Sequence, residues 1–164
     1  MTGVINNFLD TAIFFLPLWL SNLSMGIASY LKFLDQPLDG GHIFFDGRRI
    51  IGENKKINGI IIATITGLIT GIMFNNWFYG LLFGTAAWVG DMLNSFTKRR
   101  LNIKPGNKLP FFDQTNYAIT GLLIIYPFKE LIFQQIVIVI IISLIFHRPA
   151  CWLGLKLKMR KYPW

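Results

Sequence analysis

Hydropathy divides this 164-residue chain into five apolar blocks separated by charged stretches. About 20 apolar residues are needed to cross about 30 Å of hydrocarbon. The first block runs from about Phe8 to Leu31, and the second, INGIIIATITGLITGIMF, from Ile57 to Phe74. After Asn75-Asn76 the third runs from Trp77 to about Asp91, and the fourth, a short one, from about Thr115 to Phe128. The fifth, Leu131 to Phe146, is an Ile/Val run that would suit a strand in a soluble protein. Between four other apolar blocks it reads as a helix, because an open strand edge cannot sit in lipid. Lys129-Glu130 is the expected turn between the last two blocks.

The pattern therefore predicts an all-α, polytopic integral membrane protein of about five transmembrane helices, in a single domain over residues 1–164. Composition strengthens this: 53% of residues are hydrophobic and only 15% charged, where soluble chains average about 25% charged. A water-soluble domain of this size lacks the side chains to cover its surface. Before Lys32 there is no Lys or Arg, so the positive region of a signal peptide is missing and the first block is expected to stay as a helix.

The net charge of +8 then sets a topology. Lys32, Arg48, Arg49, Lys55 and Lys56 follow the first block. Lys98, Arg99, Arg100, Lys104 and Lys108 follow the third, and Arg148, Lys156, Lys158, Arg160 and Lys161 follow the fifth. Five crossings put all of these on one side and leave Lys129 on the other. By the positive-inside rule the N-terminus is outside, the C-terminus inside and the charged loops cytoplasmic. This accounts for the basic excess without nucleic acid. Trp77 and Tyr79 at one boundary, with Trp152, Tyr162 and Trp164 at the other, fit interfacial aromatic belts. Gly67, Gly71, Gly80 and Gly84, spaced by four on neighbouring blocks, predict close helix packing.

Three polar clusters share the predicted cytoplasmic side. Pro37-Leu38-Asp39-Gly40-Gly41-His42 leads to Phe45-Asp46-Gly47-Arg48-Arg49, and Gly52-Glu53-Asn54-Lys55-Lys56 leads to Gly59. The longest is Gly90-Asp91-Met92-Leu93-Asn94-Ser95-Phe96-Thr97-Lys98-Arg99-Arg100, then Lys104-Pro105-Gly106 and Pro110-Phe111-Phe112-Asp113-Gln114. A carboxylate at the end of an apolar span is costly, which makes Asp91 a functional candidate. Asp113, just before the fourth block, can sit at similar depth. Two hard oxygen donors suit Mg²⁺, which favours carboxylates plus substrate phosphates. Asn94 and Ser95 add neutral oxygens one turn from Asp91. Lys98 and Arg99 add cations for a polyphosphate, Arg with bidentate geometry, and Gly106 would let the backbone approach a ligand closely. Asp46 with Arg48 and Arg49 suits either a salt-bridged turn or substrate contact. His42 and His147 have no paired ligand spacing, and the single cysteine, Cys151, excludes an intrachain disulfide.

No Ser-His-Asp order, phosphate-binding P-loop or GxGxxG is present. A transporter would need polar residues within the spans, and the second and fifth blocks offer almost none beyond Thr and Ser. A lipid-binding scaffold could use the basic loops for anionic headgroups but has no need of Asp91 and Asp113 beside them.

The run G-D-x-x-x-S-F-x-K-R-R at Gly90–Arg100, with Lys104-Pro105-Gly106 and P-x-x-D-Q at Pro110–Gln114, resembles the signature of the CDP-archaeol synthases, membrane cytidylyltransferases related to CDP-diacylglycerol synthases. Asp46-Gly47-Arg48-Arg49 and the terminal G-L-K…P-W also match. The resemblance implies transfer of CMP from CTP to a lipid phosphate of the bilayer, giving a CDP-activated lipid and pyrophosphate. The archaeol-type ether-linked glycerol phosphate is the first expectation. Phosphatidate, or a non-enzymatic anionic-lipid binder, is the alternative. It further implies a multi-pass plasma-membrane enzyme with Mg²⁺ on Asp91 and Asp113. Catalysis would involve Asp91, Asp113 and Lys98. Substrate would be bound by Asn94, Ser95, Arg99, Arg100, Gly106, Asp46, Arg48, Arg49 and Lys55. Lys56, Asn58 and Asn116 depart from the residues usual in that family.

Overall fold

The computed structural model describes residues 2–29, 31, 33–104 and 106–156. Expectations that fall on Lys32, Pro105, Lys158, Arg160, Lys161, Tyr162, Pro163 and Trp164 lie outside the described residues. The described residues form five α-helices and no named strand: α1 (Thr2–Ser24), extended by a 3₁₀ turn (Met25–Ser29), then α2 (Ile57–Met73), α3 (Trp77–Arg100), α4 (Phe112–Ile125) and α5 (Phe133–Lys156). Pro37 with Lys56 and Ile43 with Arg49 form isolated antiparallel bridges in the long α1–α2 loop.

Side-chain contacts establish an up-and-down bundle. At one end the Asn58 side chain, on the first turn of α2, donates to the carbonyls of Ala28 and Leu31 at 2.9 Å each, tying α2 to the end of the 3₁₀ turn. Lys55, just before α2, reaches Asp91 on α3, and Asn94 on α3 reaches Asp113 on α4. At the opposite end the Tyr79 hydroxyl donates to the Phe128 carbonyl past α4, and Asn7 on α1 pairs with Gln134 on α5. The α1–α2 and α3–α4 loops therefore share one end.

The apolar blocks set the helices, but the helix bounds are not the hydropathy bounds. α3 continues nine residues past Asp91 to Arg100, because a helix holds its backbone hydrogen bonds internally whether or not its side chains are apolar. Asp91 is thus inside a helix rather than at its end. α4 begins at Phe112, so Asp113 lies in its first turn, and α5 extends beyond Phe146 to Lys156. The turn after α4 spans residues 126–129.

Where α2 meets α3 the four glycines face one another. A Cβ on Gly71 would come within 2.7 Å of Gly80 Cα, and one on Gly67 within 2.7 Å of Gly84 Cα, so backbone packs on backbone. Gly90 is likewise pressed on α4, where a Cβ would meet Tyr117 Cα at 2.7 Å. The core around these crossings holds Phe15, Leu18, Phe83, Ala86, Ala87, Tyr117, Ala118, Ile125 and Val139. Outside it the bundle leaves large apolar side chains exposed, among them Ile65, Ile69, Ile72, Met73, Leu123, Ile145 and Phe146. A girdle of this size belongs to a surface that meets another apolar phase. By length and composition two segments, Asn6–Ala28 and Phe133–Lys156, are long and apolar enough to cross a membrane, and Ile57–Met73 is a shorter apolar helix.

Candidate active site

The charged side chains converge at the end of the bundle where α3 stops and α4 starts. Residues 91, 94, 95 and 98 recur at helical spacing and share a face of α3. From that face the Asn94 amide donates from Nδ2 to Asp113 Oδ1 at 2.8 Å, and Lys98 Nζ lies 2.5 Å from the same oxygen. The other oxygen, Asp113 Oδ2, accepts the Leu109 N–H at 2.8 Å. Asp91 Oδ2 is 2.5 Å from Lys55 Nζ. Each carboxylate is thus neutralised by one lysine, and both lysines are part-buried. Lys98 also donates to the Asn107 carbonyl at 3.1 Å, while the Ser95 hydroxyl donates to the Asp91 carbonyl at 2.9 Å.

A strained turn aims Asp113. Phe111 has φ 69° and ψ −56°, and the Phe112 N–H donates to the Pro110 carbonyl at 2.8 Å, which together describe a γ-turn of the rare kind. Such conformations persist where the surroundings over-determine them, commonly at functional sites.

Among the described residues four buried side-chain oxygens have no hydrogen-bond partner, and besides Ser21 Oγ and Asn58 Oδ1 two of them belong to this site. Asn94 Oδ1 and Asn116 Oδ1 are buried and accept no hydrogen bond. Each belongs to an Asn three residues after an aspartate, Asp91 and Asp113, one helical turn away on the same face. Orphaned buried acceptors are uncommon and call for a donor or a cation. Among the described residues no cluster of three or more His, Cys, Asp and Glu side chains forms, so a cation here would draw on two carboxylates, neutral amide oxygens and substrate oxygens. That hard-oxygen set fits Mg²⁺ and would suit no softer ion.

The arginines expected to contact substrate mostly engage protein. Arg48 Nη1 donates to the Arg99 and Arg100 carbonyls at 3.1 and 2.8 Å, adding side-chain bonds to the carbonyl end of α3. Arg100 reaches back, with Nη1 on Asp46 Oδ1 at 2.8 Å and Nη2 on the Arg49 carbonyl at 2.7 Å, its guanidinium lying over the Phe44 and Phe96 rings. The two arginines form a reciprocal clasp between the α1–α2 loop and α3. Arg49 pairs with Asp39 at 2.5 Å and with Glu53 at 3.1 Å. Arg99 differs: among the described residues its guanidinium makes neither a hydrogen bond nor an ion pair, and its Nε, like those of Arg49 and Arg100, is buried without a partner. Gly52 lies against it, with a Cβ position 3.7 Å from that nitrogen. Gly106, at φ 85°, occupies the backbone region that favours glycine.

Asp39, part of a recognised polar cluster but not expected to have a role, organises the loop. Its carboxylate is buried and accepts from the backbone N–H groups of Gly41, Ile51 and Gly52 at 3.1, 3.1 and 2.7 Å as well as from Arg49. Burial alone would raise its pKa; the bonds from Arg49 and the three N–H groups outweigh that and hold it well below the usual carboxylate range. The signal was the Asp-Gly-Gly sequence, an Asx-turn pattern in which Gly40 and Gly41 take positive φ. The partner thirteen residues on, Gly52, carries no side-chain signal at all.

Three comparisons bear on this site. A family model described as CarS-like CDP-archaeol synthase matches residues 4–164. A CDP-archaeol synthase of Methanococcus aeolicus is 33% identical, covering 98% of this chain and 97% of its own, and one of Pyrobaculum aerophilum is 32% identical, covering 95% and 100%. A solved structure of an intramembrane enzyme for archaeal membrane lipid biosynthesis superposes with a TM-score of 0.73 at 26% identity, covering 87% of this chain and 93% of that one.

Proposed function

The chain belongs to the CarS-like CDP-archaeol synthase family, and from that membership we propose that it is a CTP-dependent cytidylyltransferase that activates a lipid phosphate within the membrane. A non-bridging oxygen of the lipid phosphate attacks the α-phosphorus of CTP. The bond from that phosphorus to the oxygen bridging to the β-phosphorus breaks, and pyrophosphate leaves with the electron pair. The first lipid is an archaeol-type, ether-linked glycerol phosphate. The observation that carries the reading is that one face of α3, at one end of the bundle, bears both the Asp91–Lys55 pair and the Asn94 and Lys98 side chains that hold Asp113.

Such transfers depend on positioning and on stabilising charge at the phosphorus and leaving group. Lys98 and Arg99 hold the triphosphate; among the described residues the Arg99 guanidinium has no hydrogen-bond acceptor or anion of the protein's own. Lys55 serves the lipid phosphate or the nucleotide, and Asn94 and Ser95 flank them. Asp91 and Asp113 would hold Mg²⁺, with Asn94 and Asn116 offering the unpartnered oxygens. When bound, the ion supplies charge neutralisation at the phosphates. Arg48, Arg49, Asp46 and Arg100 keep the loop and the α3 terminus in register, and Gly106 lets the neighbouring backbone pass close to the nucleotide.

All five helices cross the bilayer in this reading, with the N-terminus outside and the site on the cytoplasmic face of the plasma membrane. The up-and-down order supports it, since the basic α1–α2 and α3–α4 loops share one end. CTP arrives from the cytoplasm and the lipid sideways from the bilayer.

The test is pyrophosphate release from CTP and Mg²⁺ by purified protein in detergent, with geranylgeranyl-ether glycerol phosphate and diacyl phosphatidate offered in parallel. Release with the ether lipid alone is expected. Release with phosphatidate alone would reassign the lipid, and silence with both from folded protein would overturn the reaction.

A further inference from the structure

At the other end of the bundle from Asp91 and Asp113 lies a half-open cavity of about 320 Å³. Its wall includes Gly80, eleven residues or about 16 Å along α3 from Asp91, so it is separate from the site above. The volume is at the lower end of ordinary small-ligand cavities, about 300–1,000 Å³.

The cavity is built from both charge and grease. Phe14, Pro17 and Phe74 supply apolar wall, while Asp10 and Lys129 bring one charge of each sign. Among the described residues these two make no ion pair with each other or with anything else, although they line the same space. Lys129 Nζ instead lies 4.9 Å from the centre of the Phe14 ring, a cation–π contact that orients the ammonium without neutralising it. The turn carrying Lys129 is pinned by the hydrogen bond from the Tyr79 hydroxyl to the Phe128 carbonyl at 3.2 Å. A cation held on an aromatic ring and an anion that line one cavity without pairing, over an apolar wall, complement a zwitterion. A purely anionic headgroup would gain Lys129 and be repelled by Asp10; a purely cationic one would meet the reverse.

We propose that this cavity binds a phosphoethanolamine headgroup, its phosphate on Lys129 and its ammonium on Asp10, with attached acyl or alkyl chains running over Ile13, Pro17 and Phe74. A primary ammonium fits better than a quaternary one, because only the former donates hydrogen bonds to the Asp10 carboxylate. The proposal rests on the chain being membrane-embedded and is independent of cytidylyl transfer.

The experiment measures binding of dioleoyl phosphatidylethanolamine to the full chain in detergent by native mass spectrometry and by thermal shift, without CTP. Dioleoyl phosphatidylglycerol and soluble phosphoethanolamine are run beside it. Phosphatidylethanolamine is expected to bind more tightly than phosphatidylglycerol, and Lys129→Gln and Asp10→Asn are each expected to weaken it about tenfold. Both variants should keep wild-type helicity and monodispersity. Competition by soluble phosphoethanolamine would support the site and make the free headgroup sufficient; no competition, with lipid binding intact, would support it with the chains required. Equal binding of the two lipids, or phosphatidylethanolamine binding untouched by both substitutions in folded protein, would overturn the proposal. Pyrophosphate release is not part of the readout, so failure of the cytidylyltransferase reading leaves the result interpretable.

Discussion

Asn94 donates to Asp113 across the α3–α4 contact at 2.8 Å while its own carbonyl oxygen stays buried and unpartnered. The amide therefore does two things: it orients one carboxylate and leaves a hard oxygen beside it. Asn94→Leu should remove both. Its cost, about tenfold in turnover from the lost charge-assisted hydrogen bond, should fall more on apparent Mg²⁺ affinity than on CTP binding at saturating Mg²⁺. A Mg²⁺ titration of pyrophosphate release checks the split, and unchanged Mg²⁺ dependence would remove Asn94 from the cation site.

Asp91→Asn and Asp113→Asn should each lower pyrophosphate release by at least about a hundredfold while leaving membrane insertion intact. Each substitution keeps the side-chain shape and removes the charge. Appreciable activity in either variant would refute a cation site shared by the two residues.

Lys98 and Arg100 are two positions apart and have different partners. Lys98 reaches the Asp113 carboxylate, whereas Arg100 reaches Asp46 and the loop backbone. Lys98→Ala should therefore depress kcat more than Arg100→Ala, which should act mainly by loosening the clasp. A double-mutant cycle of Arg100→Ala with Asp46→Ala should give a coupling of about 0.2–1 kcal/mol in stability, as expected of an ion pair near the surface. Steady-state kinetics that reversed the order would place Arg100 on substrate.

The lowered pKa of Asp39 has a defined sign. Its contribution to loop stability is fully present above the unfolded value of 3.8 and is lost as pH falls through the lower folded value. The α1–α2 loop should thus keep its hydrogen-exchange protection from neutral pH down to about pH 4 and lose it only below. Asp39→Asn should lose about 1–3 kcal/mol of local stability at neutral pH, seen as faster exchange at Gly41, Ile51 and Gly52. Protection that faded already between pH 6 and 5 would contradict the assignment.

Two glycines on α2 should respond oppositely to alanine. At Gly71 the added Cβ would strike the α3 backbone at 2.7 Å, so Gly71→Ala should lower Tm, with a cost of at least about 1–3 kcal/mol from overpacking. At Gly59 the nearest neighbour is Ala28 Cβ at 3.9 Å, an ordinary contact, and the helix propensity of alanine should leave Tm unchanged or raise stability by up to about 1 kcal/mol. Thermal unfolding in detergent distinguishes them.

Much of this protein is written locally. The five apolar blocks became five helices because a 17- to 24-residue run of such side chains has few other ways to satisfy its backbone; α4, at 14 residues, follows the same rule in shorter form. The glycine spacing on α2 and α3 foretold their close approach, whereas the full Asp91, Asn94, Ser95, Lys98 face exists because α3 runs on to Arg100, past the end of its apolar block. Partner choice was another matter. Lys98 pairs with Asp113 and not with Asp91, seven residues back on its own helix. Asp91 takes Lys55 from 36 residues away, and Arg48 and Arg49, adjacent in the chain, take unrelated partners. Charges of one sign are interchangeable in a sequence. What separates them is the direction in which each helix crosses its neighbour and the height at which the glycine faces lock. Periodicity within a chain segment therefore determined which residues share a surface, and only the packing of those surfaces decided which of them meet.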